Sequence, residues 1–247
     1  MRIHNIFAAI GLTVVSLTAL AKNVIHTDMA PHIDGRIDNA LWDKAEWQPL
    51  THVIIGDKPT KKDFSGRFKL LWNDDALYLL AEIQDDYLSD TYADPLERYW
   101  DDDCLEIFID ADRSGGDHLN TYNAFAYHVA LDNQVVDIGP AKGEESKPRL
   151  FNDHVESVWK RSAEKPHHII WETAIRVFGD DFQYGEVNTP VALTAGMKMG
   201  FMLAYCDADG GDREHFVGSQ DIAPVNGDKN LGYKDASVFG ELTLVGK

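Results

Sequence analysis

A period of two in the apolar residues constrains the fold of this chain more than any other feature. Phe68, Leu70 and Trp72 share one side of an extended run, and Leu77, Leu79, Ala81 and Ile83 share one side of the next. Strand side chains alternate faces, so each run has one greasy face and one wetter face. Asn73-Asp74-Asp75 between them is a hairpin signal. The period returns at 104–110, where Leu105, Ile107 and Ile109 point one way and Cys104, Glu106 and Phe108 the other. Further extended runs are read at 122–131, 134–138, 154–161, 167–177, 200–206 and 237–245. The stretch 31–38 reads as a short strand and turn hinged on Asp34-Gly35, and 140–149 as a polar surface loop. Asp38 is placed to cap a brief helix over 39–45, with Trp42 as its core plug. Many short strands separated by acidic turns predict an all-β chain, an antiparallel β-sandwich with one or two short peripheral helices.

The N-terminus reads as a secretory signal peptide over 1–21. Arg2 precedes an apolar run from Ile6 to Leu17, and Ala19 and Ala21 supply small residues before a cleavage point ahead of Lys22. The run is short for a membrane span, and no later run is long enough. Residues 22–247 are then one exported domain, periplasmic or extracellular. The formal charge of −18 argues against nucleic acid and anionic membranes as partners. Export chemically permits a bridge between Cys104 and Cys206 as well as two buried thiols, and the reading here takes thiols.

The stretch Tyr99-Trp100-Asp101-Asp102-Asp103-Cys104-Leu105-Glu106 is the most telling for function. If the chain is extended throughout, Trp100, Asp102 and Glu106 share the face opposite the core residues. An aromatic ring beside carboxylates suits a ligand with an apolar face and a fringe of hydroxyls, a sugar. An ordinary strand with one wet face and an acidic turn explains the same residues. Two other acidic runs, with Asp110, Asp112 and Asp117 and with Asp207, Asp209 and Asp212, gather hard oxygen donors around glycines, as calcium loops do. His167 and His168 make a poor metal signal because adjacent strand residues point apart. Met197, Met199 and Met202 read as core filling.

Four landmarks fall in a recognisable order. They are Ile33-Asp34-Gly35 through Leu41-Trp42, Leu71-Trp72-Asn73-Asp74-Asp75-Ala76-Leu77-Tyr78, Trp100 through Asp110, and the closing run Tyr233 through Leu242. Together they resemble carbohydrate-binding module family 9 over nearly the whole chain after residue 21, with an expansion between about 177 and 198. The resemblance implies a β-sandwich that holds a mono-, oligo- or polysaccharide between two aromatic rings, with calcium bracing the loops. The rings fall on Trp100 and on Tyr233, where the family's pattern has tryptophan. The hydroxyl-binding carboxylate falls on Glu106, an amide position on Asp102 and an asparagine on Asn230. An arginine and an asparagine of the neighbouring strand fall on His128 and Ala130, which removes donors and leaves the ligand's identity open.

Non-catalytic saccharide binding is therefore the leading expectation. An exported glycoside hydrolase is the first alternative. Asp102 and Glu106 would stand roughly 13 Å apart on an extended chain, beyond the ~5–9.5 Å that paired catalytic carboxyls span. A haem-binding electron-transfer sandwich, with His128 and one of Met197, Met199 or Met202 as axial ligands, is the second alternative.

Overall fold

The structure is a computed structural model and describes residues 22–37 and 40–246. The signal-peptide reading and the Asp38 cap lie outside these residues. In chain order the strands are β1 (Lys22–His26), β2 (Gln48–Leu50), β3 (His52–Ile55), β4 (Phe64–Trp72), β5 (Leu77–Asp85), β6 (Cys104–Asp110) and β7 (Phe125–Ala130). There follow β8 (Val135–Ala141), β9 (Glu144–Leu150), β10 (Val155–Arg161), β11 (His168–Ile175), β12 (Lys198–Asp207), β13 (His215–Gly218) and β14 (Gly240–Val245). Two 3-10 turns, Ala40–Lys44 and Ala236–Val238, are the helical pieces among the described residues.

Eleven strands hydrogen-bond in one path, β10-β11-β5-β4-β1-β14-β12-β6-β7-β8-β9, while β2 pairs β4 and β13 pairs both β12 and β3. Laid flat, β4 and β12 would sit three ladder spacings apart, ~14 Å. Yet the Phe64 and Tyr205 rings stack at 5.4 Å, and Phe68 meets Phe201 at 5.9 Å. The sheet therefore folds over itself into two layers. The alternating residues of both layers, among them Leu79, Ile83, Leu105, Ile107, Phe201 and Leu203, make one common core. Strand β1 sits at the fold, pairing with β14 through Lys22–Ile25 and with β4 through Ile25 and His26. Both of these pairings are parallel, so the sandwich is antiparallel everywhere except at β1.

Several local expectations are corrected. The stretch 140–149 is not a loop but the turn and return strand of a β8–β9 hairpin. Gly143, at φ +78°, makes the turn. Strand β9 lies at the sheet edge with polar residues on both faces, so it carries no alternation, and an edge tolerates its Pro148. Of the stretch read as 31–38, the described residues 31–37 contain the turn at Gly35, φ +71°, but no strand. The buried Glu172 carboxylate takes up this turn, accepting from the Asp34 and Gly35 amides at 2.9 Å each and from Trp42 Nε1 at 2.9 Å. Trp42, 1% exposed, is the plug expected of it. The closing strand begins only at Gly240. Asp235 caps the preceding 3-10 turn by accepting from the Ser237 amide. Strands β2, β3 and β13 are too short to show a period.

Candidate functional site

The site lies on the outer face of the β6–β7–β12 layer, where the even-numbered residues of β6 emerge. Glu106 is directly opposite His128 on β7 and Ala204 on β12. Tyr99 and Trp100 arrive from a turn rather than from strand alternation. Arg98 there has φ +50°, Asp101 N donates back to Arg98 O at 2.8 Å, and the strand starts only at Cys104. Asn230 and Tyr233 come from the segment ahead of the last 3-10 turn. Gly232 lets that segment approach closely, since a Cβ there would lie 2.7 Å from Met202 Cε and 2.9 Å from Phe108 Cε1. The buried His118 ring holds the Gly232 carbonyl at 2.8 Å from Nε2.

These pieces enclose a cavity of about 310 Å³ lined by Tyr99, Trp100, Glu106, His128, Ile138, Arg213, Asn230 and Tyr233. Its size is at the lower end of the ~300–1,000 Å³ of small-ligand sites. Trp100 is 39% exposed, a large apolar ring left open at the mouth. Glu106 is 2% exposed and lies at the floor. Its Oε1 receives His128 Nε2 at 2.7 Å, Cys206 Sγ at 3.0 Å and Arg213 Nη1 at 3.3 Å. Burial alone would push this carboxyl's pKa up. The neighbouring His128 and Arg213 outweigh burial and hold it below the ordinary carboxylate range. His128 Nδ1 faces the Ala126 carbonyl at 3.2 Å while Nε2 faces the carboxylate. Both ring nitrogens thus face acceptors and neither is free.

Five of the six residues assigned to the ligand from the sequence therefore line one cavity: Trp100, Glu106, His128, Asn230 and Tyr233. Asp102 does not join them. Its two carboxylate oxygens accept from the Thr91 and Tyr92 amides at 2.7 and 2.8 Å. Its neighbours act alike. Asp101 takes Arg98 and the Arg213 amide, and Asp103 takes the Ser89 and Ala208 amides. The three aspartates rivet surrounding loops, because an acidic turn beside buried backbone satisfies amides before it reaches a ligand.

Tyr99 and Arg213 are cavity residues that the sequence reading missed. Tyr99 packs edge-on against His128 at 4.6 Å and Trp100 at 5.0 Å. Arg213 is the lone cation closing the acidic run 207–212, and that contrast is the signal that marks it. It supplies a guanidinium to the cavity from the β12–β13 turn, where the family pattern has its arginine at the position of His128. Cys104 and Cys206 are free buried thiols, directly opposite on β6 and β12, and burial pushes both thiol pKa values up.

The two acidic runs do not each converge. Asp110 and Asp112 interact, and Asp110 Oδ1 is buried without a hydrogen-bond partner, but the Asp117 carboxylate accepts from the Leu119 amide instead. In the second run Asp212 pairs with Arg98, Asp209 adjoins Asp63 and Asp86, and Asp207 adjoins Asp85 and Asp103.

A family model described as carbohydrate family 9 binding domain-like matches residues 33–247. Exoglucanase XynX of Acetivibrio thermocellus is 25% identical over 218 residues, 88% of this chain and 16% of that protein. Endo-1,4-beta-xylanase A of Thermotoga neapolitana is 34% identical over 80 residues, 32% of this chain and 7% of that protein. The chain thus spans a small fraction of these curated relatives. A carbohydrate binding module family 9 from Caldicellulosiruptor kristjanssonii, solved in complex with glucose, superposes with a TM-score of 0.63 at 22% identity, covering 92% of this chain and 97% of that one. A module from the same organism in complex with cellotriose gives 0.62 at 21% identity, covering 92% and 95%. At these identities the structural likeness speaks for the fold.

Proposed function

The chain belongs to the carbohydrate family 9 binding domain-like family, and from that premise we propose that it is a saccharide-binding module, not an enzyme, whose ligand enters the cavity between Trp100 and Tyr233. One observation carries the reading. Two aromatic side chains from distant parts of the chain line a single cavity whose floor is an ionised carboxylate. Aromatic faces cover the axial C–H face of a pyranose at low entropic cost. A carboxylate accepts two hydroxyl hydrogens in charge-assisted bonds. All the contacts given above fall on Glu106 Oε1, and Oε2 is the oxygen assigned here to the sugar hydroxyls. Arg213 and Asn230 offer the opposing donors. The glucose and cellotriose held by the solved relatives, and the xylanases among the curated ones, make β-linked glucose and xylose oligomers the ligands to test first.

The hydrolase alternative needs a second carboxyl with a raised pKa as its acid. Among the described residues that line the cavity, Glu106 is the one carboxylate, and its pKa is lowered. The haem alternative needs a free His128 nitrogen, whereas both face acceptors. Export through the signal peptide is part of the proposal. No helix among the described residues is long and apolar enough to cross a membrane. Calcium is proposed as a brace at Asp110 and Asp112, where the orphaned Asp110 Oδ1 suits a hard cation.

Calorimetry with glucose, cello-oligosaccharides and xylo-oligosaccharides tests the reading, in calcium and in chelator. Saturable binding that Trp100→Ala abolishes is expected. Release of reducing sugar from a polysaccharide would overturn the non-catalytic assignment.

A further inference from the structure

The ends of β12 and β13 assemble a second polar cluster on the face of the sheet opposite the cavity. Asp207 and His215 are paired across these strands, so their side chains leave the same face. The Glu214 amide donates to Asp207 O at 2.9 Å, and the turn ahead of β4 contributes Asp63. One ligating atom from each of Asp63, Asp207, Glu214 and His215 lies within 4.8 Å of the other three. Asp207 is 2% exposed, and its Oδ2 is buried with no hydrogen-bond partner among the described residues. His215 Nε2 stands 3.4 Å from Asp63 Oδ2 and 3.2 Å from Glu214 Oε1. Charge-assisted hydrogen bonds run at about 2.7–2.9 Å, so these contacts are too long for good ones. They match the ~3.0–3.4 Å between neighbouring donors around an ion bound at ~2.1 Å. Gly56, at φ +78°, closes the cluster from the other side. A Cβ there would fall 1.9 Å from Glu214 O and 3.0 Å from His215 Nδ1.

We propose that Asp63, Asp207, Glu214 and His215 form a binding site for one divalent transition metal of the zinc class. Imidazole and carboxylate donors together suit zinc or manganese, whereas calcium takes oxygen donors alone. The site differs from the calcium loop expected from the sequence in taking Glu214 and His215 while Asp212 is bound to Arg98. It shares Asp207 with the group of Asp85 and Asp103, and Asp63 with the group of Asp86 and Asp209. It stands independently of the saccharide reading. Arg213 of the cavity immediately precedes Glu214, so an ion here also fixes the turn that presents the guanidinium.

The test uses the full chain stripped of metal by a chelator and titrated with zinc, manganese or calcium chloride. Zinc is expected to bind one per chain and to raise Tm by about 2–4 °C or more at saturation. His215→Gln is expected to weaken zinc at least tenfold, and Glu214→Gln, a change at a largely exposed carboxylate, to weaken it measurably if the first variant folds poorly. His167→Gln with His168→Gln removes two histidines outside the cluster and should leave the stoichiometry unchanged. No zinc binding overturns the proposal. So does zinc binding that survives both His215→Gln and Glu214→Gln, and so does a preference for calcium that His215→Gln leaves intact, the mark of an all-oxygen site.

Discussion

Arg213 Nη1 lies 3.3 Å from Glu106 Oε1 and 3.2 Å from Cys206 Sγ, joining a turn between two strands to the middle of a third. The guanidinium also covers the Phe216 ring at 4.5 Å. A planar cation held by a carboxylate and an aromatic face is pre-organised, so little freedom is lost when a ligand arrives.

Arg213→Ala should weaken saccharide binding by roughly 1.5–3 kcal/mol, the range for a hydrogen bond to a charged group. Glu106→Gln should cost a similar amount. Calorimetry on both variants and on the double variant decides the matter. If the two losses simply add, the groups act independently, and the coupling argued from their contact is wrong.

Trp100→Ala should lose more affinity than Tyr233→Phe, since the ring face rather than the phenol hydroxyl covers the sugar. Equal losses would shift the weight of recognition to hydrogen bonding at Tyr233. Titration of the two variants against one oligosaccharide makes the comparison.

Asp102→Ala should act on stability. It strands the Thr91 and Tyr92 amides, each of which loses a bond to a charged acceptor, and should cost about 1–3 kcal/mol in denaturant unfolding. Its saccharide affinity should stay close to that of the unaltered chain. A loss of affinity as large as that of Trp100→Ala would return Asp102 to the binding site.

Stability should fall with rising pH through a buried carboxyl on β8. Burial pushes the pKa of Asp137 up to about 7, and the Ala126 and Ile138 amides that donate to it offset only part of that. The folded pKa lies above the unfolded value, so the folded state holds the proton longer. The contribution is fully present below about pH 4 and is lost as pH rises towards and through about 7, on the order of 2–4 kcal/mol in all. Asp137→Asn should flatten the unfolding free energy over this range. An unchanged pH profile in the variant would assign the dependence to other groups.

The alternation in β4, β5 and β6 was legible because side-chain direction in a strand follows from local backbone geometry. It put Leu105, Ile107 and Ile109 in the core and Glu106 on the opposite face before any partner strand was known. The sandwich followed from the number and spacing of such runs, and the family landmarks supplied Trp100 and Tyr233 as cavity residues. Strand β9 was not legible, because an edge strand with two polar faces carries no period. Nor was the route of Trp100, which reaches the cavity through the turn at Arg98 rather than along an extended strand. Aspartates that look alike in the chain part company only in space: Asp102 on two loop amides, Asp207 beside His215, Asp212 on Arg98. A carboxylate's role depends on which donors long-range folding brings within about 3 Å of it. The sequence by itself determined the faces of the strands and the ring pair, while the guanidinium over Glu106 and the partner of each aspartate were decided by the tertiary structure, since loops that meet in space carry no local record of one another.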